Sequence, residues 1–264
     1  MTKTIGNQGP DITYLGWSGF RITGPEDSDI YIDPPKGTVF KDVPAVIFIT
    51  HGHPEHLGGV LDLLRRERAS STTIVASSVM CRYLRRQNVD PGVRFEQVTA
   101  GSTFADETGV WAEVFAWRHM PLLPPGIIPA CRHIWRLLRG WRKTTSIIRM
   151  MLMGPCRAGE MLGFVLTVGD GMPVIAFGEG LHRHTRPGEL GGVIGERMEA
   201  VLLVAVEPED VGTLPSLLDG SAVRSIALYE PHGRWRDDFG MPHADLQALA
   251  KELRQGGKQV CCVP

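Results

Sequence analysis

Three histidines and a glutamate fall within six residues, His51-Gly52-His53-Pro54-Glu55-His56, directly after Thr50 and the apolar run Ala45-Val46-Ile47-Phe48-Ile49. Neutral imidazole is the commonest nitrogen ligand for metal ions, and a short loop that fixes several imidazoles together gives up little more entropy when a dication arrives. The stretch reads as a metal cradle at the exit of a buried strand. Solvated loop histidines are the plain alternative, which single histidines usually are; this clustering favours ligation. Three later points bring further ligand types to the ends of predicted strands: Arg118-His119, Gly178-Glu179-Gly180 and Glu230-Pro231-His232.

Positioning these groups requires a sheet-rich scaffold. Short β-like runs at Ile12 to Leu15, Phe20 to Ile22, Ile30 to Ile32 and Val46 to Ile49 are separated by Gly, Pro and Asp turns. An amphipathic helix over Leu57 to Arg68 follows the histidine loop, then a strand at Thr73 to Ala76, a helix at Ser78 to Arg86, and strands at Phe95 to Val98 and Val110 to Trp117. The second half repeats the first in coarse form: strands at Gly163 to Val168 and Val174 to Phe177 around the turn Gly169-Asp170-Gly171, a strand at Ala200 to Val206, a helix near Val211 to Leu218, a strand at Ser225 to Leu228 and a helix at Ala244 to Arg254. Between the halves, Pro121 to Glu160 opens on prolines and continues rich in Ile, Leu, Met, Trp and Arg, which predicts a helical insertion. With no linker or low-complexity tract, the expectation is one α/β domain over residues 1–264, two stacked sheets inside flanking helices.

At 264 residues and 43% hydrophobic content the chain can bury a large core, and its net charge of −1 offers no global attraction to nucleic acid or acidic membranes. Five cysteines without a C-x-x-C pair fit reduced thiols. Together with an N-terminus lacking signal or transit character and no apolar run long enough to span a bilayer, this predicts a cytoplasmic protein with no transmembrane segment. No G-x-G-x-x-G bounded by a strand, no P-loop and no G-x-S-x-G occurs, so dinucleotide, P-loop and serine-hydrolase chemistry are unsupported.

The pattern H-x-H-x-E-H, then a His, an acid after a Gly and a last His, resembles the metallo-β-lactamase fold superfamily, whose usual cradle is H-x-H-x-D-H. Tyr14-Leu15-Gly16-Trp17-Ser18-Gly19-Phe20 and Ile32-Asp33-Pro34 are similar to its ascorbate-6-phosphate lactonase-like and N-acyl phosphatidylethanolamine phospholipase D-like branch. The likeness runs from about residue 11 to about residue 260 and leaves Pro121 to Glu160 unmatched. It implies a four-layer αβ/βα sandwich. It also implies a dinuclear, lactonase-like hydrolase that uses a metal-bound hydroxide on an ester, lactone or phosphodiester. His51, His53 and His119 would hold one ion, Glu55, His56 and His232 the second, with Glu179 bridging and Glu55 part of the catalytic machinery. Two divalent ions are expected, zinc first, with manganese or iron as alternatives. Asp33 would take the second imidazole proton of a ligand histidine.

The chain departs from that pattern at Glu55 and Glu179, each one methylene longer than the family's aspartate, and at Trp17, where lactonase-like relatives often carry His. The longer arms could shift or weaken the site, and hard carboxylate ligands favour iron or manganese over zinc, which opens an alternative, a diiron oxidase or oxygenase on the same fold. A second alternative is a non-catalytic binding protein with a decayed metal site. Candidate contacts to a small-molecule substrate, anionic or acylated, are Trp17, Arg118, His182, His184 and Arg234; their bland readings are a packed aromatic, arginines paired with acids, and solvated loop histidines. No nucleic-acid partner is expected. The insertion reads as a lid, an interfacial helix, a Met-rich surface for homo-oligomerisation, or a simple capping helix pair.

Overall fold

Strands that are apolar on both faces must be covered on both faces. The computed structural model describes residues 3–4, 11–24, 29–40, 42–65, 71–88, 90–119, 126–139, 145, 155, 159–181 and 185–263. The first sheet has seven strands in sequence order: β1 (Lys3–Thr4), β2 (Asp11–Gly16), β3 (Gly19–Thr23), β4 (Asp29–Ile32), β5 (Val46–Phe48), β6 (Thr73–Ala76) and β7 (Arg94–Gln97). The second runs β8 (Thr103–Ala105), β9 (Val110–Ala116), β10 (Leu162–Val168), β11 (Val174–Ala176), β12 (Val201–Ala205), β13 (Ser225–Tyr229) and β14 (Gln259–Cys262). In each sheet the first four strands pair antiparallel and the rest parallel, so the coarse repeat of the sequence is a repeat of topology.

Side chains alternate between layers along the central strands. Ile30, Ile32, Val46 and Phe48 face the second sheet and meet Phe104, Val114, Phe164, Leu203, Ala205 and Tyr229 in the central core. Tyr31, Ile47 and Ile49 point the other way, onto Leu57, Val60 and Leu64 of α1 (Pro54–Leu64) and Met80, Cys81 and Leu84 of α2 (Ser78–Arg85). On the second sheet Leu202, Val204, Ile226 and Leu228 likewise pack under α4 (Pro187–Ile194), α5 (Leu214–Asp219) and α7 (Leu246–Gln255). Helix, sheet, sheet and helix make the four-layer sandwich expected from the sequence. Of the predicted insertion, α3 (Ile127–Arg139) is helical; most of residues 140–158 lie outside the described residues.

The helix after the cradle begins at Pro54 rather than Leu57. Proline at the first helical position gives up no needed N–H, and Glu55 behind it suits the positive helix start. Glu55 and His56 therefore project from a helical turn and not from a free loop. The same helix lies against the segment that carries Asp33: the Gly59 amide donates to the Pro34 carbonyl at 2.9 Å, and a methyl on Gly59 would stand 2.7 and 2.8 Å from the carbonyl oxygens of Pro34 and Pro35. Gly59→Ala should lower stability by about 1–3 kcal/mol through overpacking. In contrast, Gly188→Ala on α4, where nothing stands within 4 Å, should be neutral or stabilising by up to about 1 kcal/mol. Denaturant midpoints check both; equal midpoints would show that α1 does not depend on this close approach.

Candidate metal centre

The candidate residues emerge at one edge of the sandwich, where β4, β5, β9, β11 and β13 end. The two sheets are stitched there, the Leu162 amide donating to Thr50 O at 2.9 Å and the Tyr229 hydroxyl to Gly178 O at 3.0 Å. Among the described residues one group of ligand types converges: His51, His53, His119 and Glu179 offer atoms that all lie within 4.8 Å of one another. Glu179 Oε1 is 3.2 Å from His51 Nε2, 3.3 Å from His53 Nδ1 and 2.9 Å from His119 Nε2, and His119 Nε2 is 3.2 Å from His53 Nδ1. Gly178 and Gly180 flank Glu179 at positive φ; a Cβ on Gly180 would clash with Ala205, and one on Gly178 would press tightly on Thr50 at 3.0 Å.

Proton directions behind this group follow from donor counting. Asp33 is fully buried at the end of β4, with φ 44°. Its carboxylate accepts from the Thr50 amide at 2.8 Å, the Thr50 hydroxyl at 2.6 Å and His56 Nδ1 at 2.8 Å. With its one proton spent on Asp33, Thr50 Oγ1 can only accept from His51 Nδ1, 3.0 Å away. His51 therefore turns an Nε2 lone pair inward, and His56 does so once its Nε2 proton is displaced. Burial holds the His51 pKa down at about 4, so this ring is neutral at physiological pH. Burial pushes Glu179 up, but the imidazoles of His119, His51 and His53 outweigh it and keep the carboxyl well below its usual range. Burial also opposes charge on His56, yet Asp33, Glu55 and Glu179 carry its pKa up to about 9, so an entering cation competes with a proton there.

Glu55, His56 and His232 stand outside the group of four. His56 Nε2 is 3.9 Å from Glu179 Oε1, and Glu55 Oε1 is 3.7 Å from His53 Nδ1. Glu55 is buried, and its Oε2 has no hydrogen-bond partner among the described residues. His232, just before α6 (Gly233–Phe239), pairs through Nδ1 with Glu207 Oε1 at 2.6 Å, and Glu207 is in turn ion-paired with buried Arg236. Burial lowers the His232 pKa against the pull of Glu179 and Glu55. Glu207 was not anticipated from the sequence; the signal available was the acidic stretch Glu207-Pro208-Glu209-Asp210 after a buried strand.

The remaining candidates divide. Trp17, at φ 55°, sets its ring edge-on to Trp235 at 5.4 Å and to His232 at 6.0 Å, while Trp235 stacks on His232 at 5.7 Å, so aromatic surface lines one side of the second set. Arg118 is exposed and ion-paired with Glu189 of α4, and Arg234 is exposed on α6. His182 and His184 lie outside the described residues. Asp170, which like Glu179 follows a glycine, is exposed in the turn between β10 and β11 and stands outside the group.

A divalent ion fits these residues. Three imidazoles meet one ionised carboxylate oxygen within ligand reach, and a buried Glu55 oxygen has no donor among the described residues; a cation among them would satisfy both.

The layers, strand order and site edge define a protein of the metallo-β-lactamase fold. The metallo-β-lactamase fold protein YhfI from Bacillus subtilis superposes with a TM-score of 0.60 at 8% identity, covering 98% of this chain and 94% of that one. Zn(2+)-bound PqqB from Methylobacterium extorquens gives 0.52 at 11% identity, with 93% and 85% covered. No protein-family model matches the chain. In sequence it is similar to proteins named UPF0173 metal-dependent hydrolase: 33% identical over 89 residues to one from Methanosphaera stadtmanae, covering 30% of this chain and 36% of the relative. It is 29% identical over 126 residues to one from Methanopyrus kandleri, covering 45% and 52%. The chain thus spans about a third to a half of the length of the curated relatives it matches. Their names and the His/Glu cluster support a divalent metal.

If Asp33 sets the His56 tautomer, Asp33→Asn should weaken metal binding by about 10–100-fold, and Glu207→Gln should do so through His232. Competition against a chromophoric chelator measures both. Unchanged affinity in Asp33→Asn would show that the carboxylate does not orient the ligand.

Proposed function

We propose that this protein is a dinuclear metal-dependent hydrolase acting on a small-molecule ester, lactone or phosphodiester. The observation that carries the reading is the convergence of three imidazole nitrogens on one ionised carboxylate oxygen, Glu179 Oε1. His51, His53 and His119 are the proposed ligands of one ion, Glu55, His56 and His232 of the other, and Glu179 is shared. Zinc suits the imidazole-rich first set, and manganese or iron the carboxylate-richer second. Bound there, the ions supply an acidified water and positive charge for the substrate oxygen.

The chain's own residues do the rest. Asp33 and Thr50 hold the protons of His56 and His51 on Nδ1, which leaves the His51 Nε2 free to ligate and directs an entering ion to displace the Nε2 proton of His56. Glu207 does the same for His232 and is itself neutralised by Arg236, which burial lowers only to about 10, so it stays cationic at neutral pH. Trp17 and Trp235 offer apolar surface beside His232, suited to an acyl or ring portion of the substrate and to excluding water around it. Arg234 supplies exposed positive charge nearby for an anionic group. Cys81, Cys131, Cys261 and Cys262 are not in disulfides, in keeping with a cytoplasmic setting.

Substitution of His53 or His119 by alanine should abolish turnover on a panel of esters, lactones and phosphodiesters and lower metal content in parallel. Full activity in either variant would refute the hydrolase mechanism. Carboxylate ligands such as Glu55 and Glu179 also suit iron, so the panel should also be run without dioxygen; undiminished turnover is expected, and turnover that requires dioxygen and a reductant would make the protein an oxygenase instead.

A further inference from the structure

Helix α3 wears its apolar side outward. Ile127, Cys131, Ile134 and Leu138 recur at helical spacing, with Ile128 and Trp135 beside them, and together they form one continuous face. A helix packed on a core would bury that face. Here Ile127 is 83%, Ile128 70%, Trp135 57% and Leu138 67% exposed. Arg132, Arg136 and Arg139 border the apolar face, and the Arg139 guanidinium lies 5.2 Å from the Trp135 ring centroid.

Charge along this stretch of the sequence is one-sided. Residues 114–159 contain eight Lys and Arg and no Asp or Glu, within a chain whose net charge is −1. Exposed aliphatic and tryptophan surface flanked by arginine alone is the composition of a helix that lies in a lipid–water interface, apolar face among acyl chains and guanidinium groups at anionic headgroups. Nucleic acid would use the arginines but leave Ile127, Ile128 and Leu138 in water. A second copy meeting face to face would bring its arginines against these.

We propose that α3 is an interfacial anchor that seats this protein on an anionic lipid surface. The segment leaves the chain just after His119 and returns at β10, whose first residue bonds Thr50 beside His51, so both ends are rooted at the rim of the metal centre. The anchor is independent of the hydrolase reading, because no step in it uses the metal or the reaction.

Sedimentation of the full chain with vesicles tests this, using phosphatidylcholine alone against equimolar phosphatidylcholine and phosphatidylglycerol. Partitioning to the anionic vesicles, weakening with salt, is expected. Each of Arg132→Gln, Arg136→Gln and Arg139→Gln should cost about fivefold in partition coefficient. The double variant Trp135→Ser/Leu138→Ser should cost at least about tenfold, with metal content and denaturation midpoint unchanged. The arginine variants keep the test open should the double variant fold poorly. Absence of binding to anionic vesicles, equal binding to both compositions, or a double variant that instead breaks a dimer in sedimentation equilibrium would each overturn the proposal.

Discussion

A single buried carboxylate organises this end of the molecule. Asp33 has no exposure to solvent, sits in the left-handed region that aspartate tolerates better than most residues, and accepts three hydrogen bonds from two different segments. Through Thr50 it sets the proton of His51, and directly it sets the proton of His56. One acid at the end of β4 thus decides which lone pairs reach the centre. The second sheet repeats the device: Glu207, shortly after β12, takes the Nδ1 proton of His232. The topological repeat of the two halves is also a repeat of how a carboxylate behind a strand end aims an imidazole.

Such an arrangement opposes folding in the absence of a cation. Asp33, Glu55 and Glu179 are all buried within one small region, and one Glu55 oxygen has no donor among the described residues. Burying charges without compensation is expensive, and the surrounding core, apolar on both faces of both sheets, supplies the stability that holds the conflict in place. Local conflict of this kind concentrates where a ligand later resolves it.

Much of the scaffold was legible because buried parallel strands are written as unbroken apolar runs; the runs Val46 to Ile49 and Ala200 to Val206 contain the strands Val46–Phe48 and Val201–Ala205 for that reason. The fold followed from the order of ligand types along the chain. Less legible were elements with little burial to record. β8 is three residues with only Phe104 buried, β14 is half-exposed, and the seven residues of α6 open on glycine and are largely charged. The start of α1 was misplaced because Pro54 reads as a breaker until it is recognised as a first helical residue. Glu207 stayed invisible because its partner, His232, is 25 residues away and joined to it only by the parallel pairing of β12 with β13. Arg118 illustrates the opposite case: its place beside His119 suggested an anion contact, whereas its guanidinium pairs with Glu189 across the sheet edge.

The central claim is that the histidines and glutamates at this edge exist to hold divalent ions. Elemental analysis of the purified, never-chelated protein tests it most directly, quantifying zinc, iron and manganese per chain. The account predicts about two divalent ions per chain. Essentially no retained metal, even after reconstitution with each of the three, would contradict it and leave Glu55 and Glu179 as the mark of a centre that no longer binds.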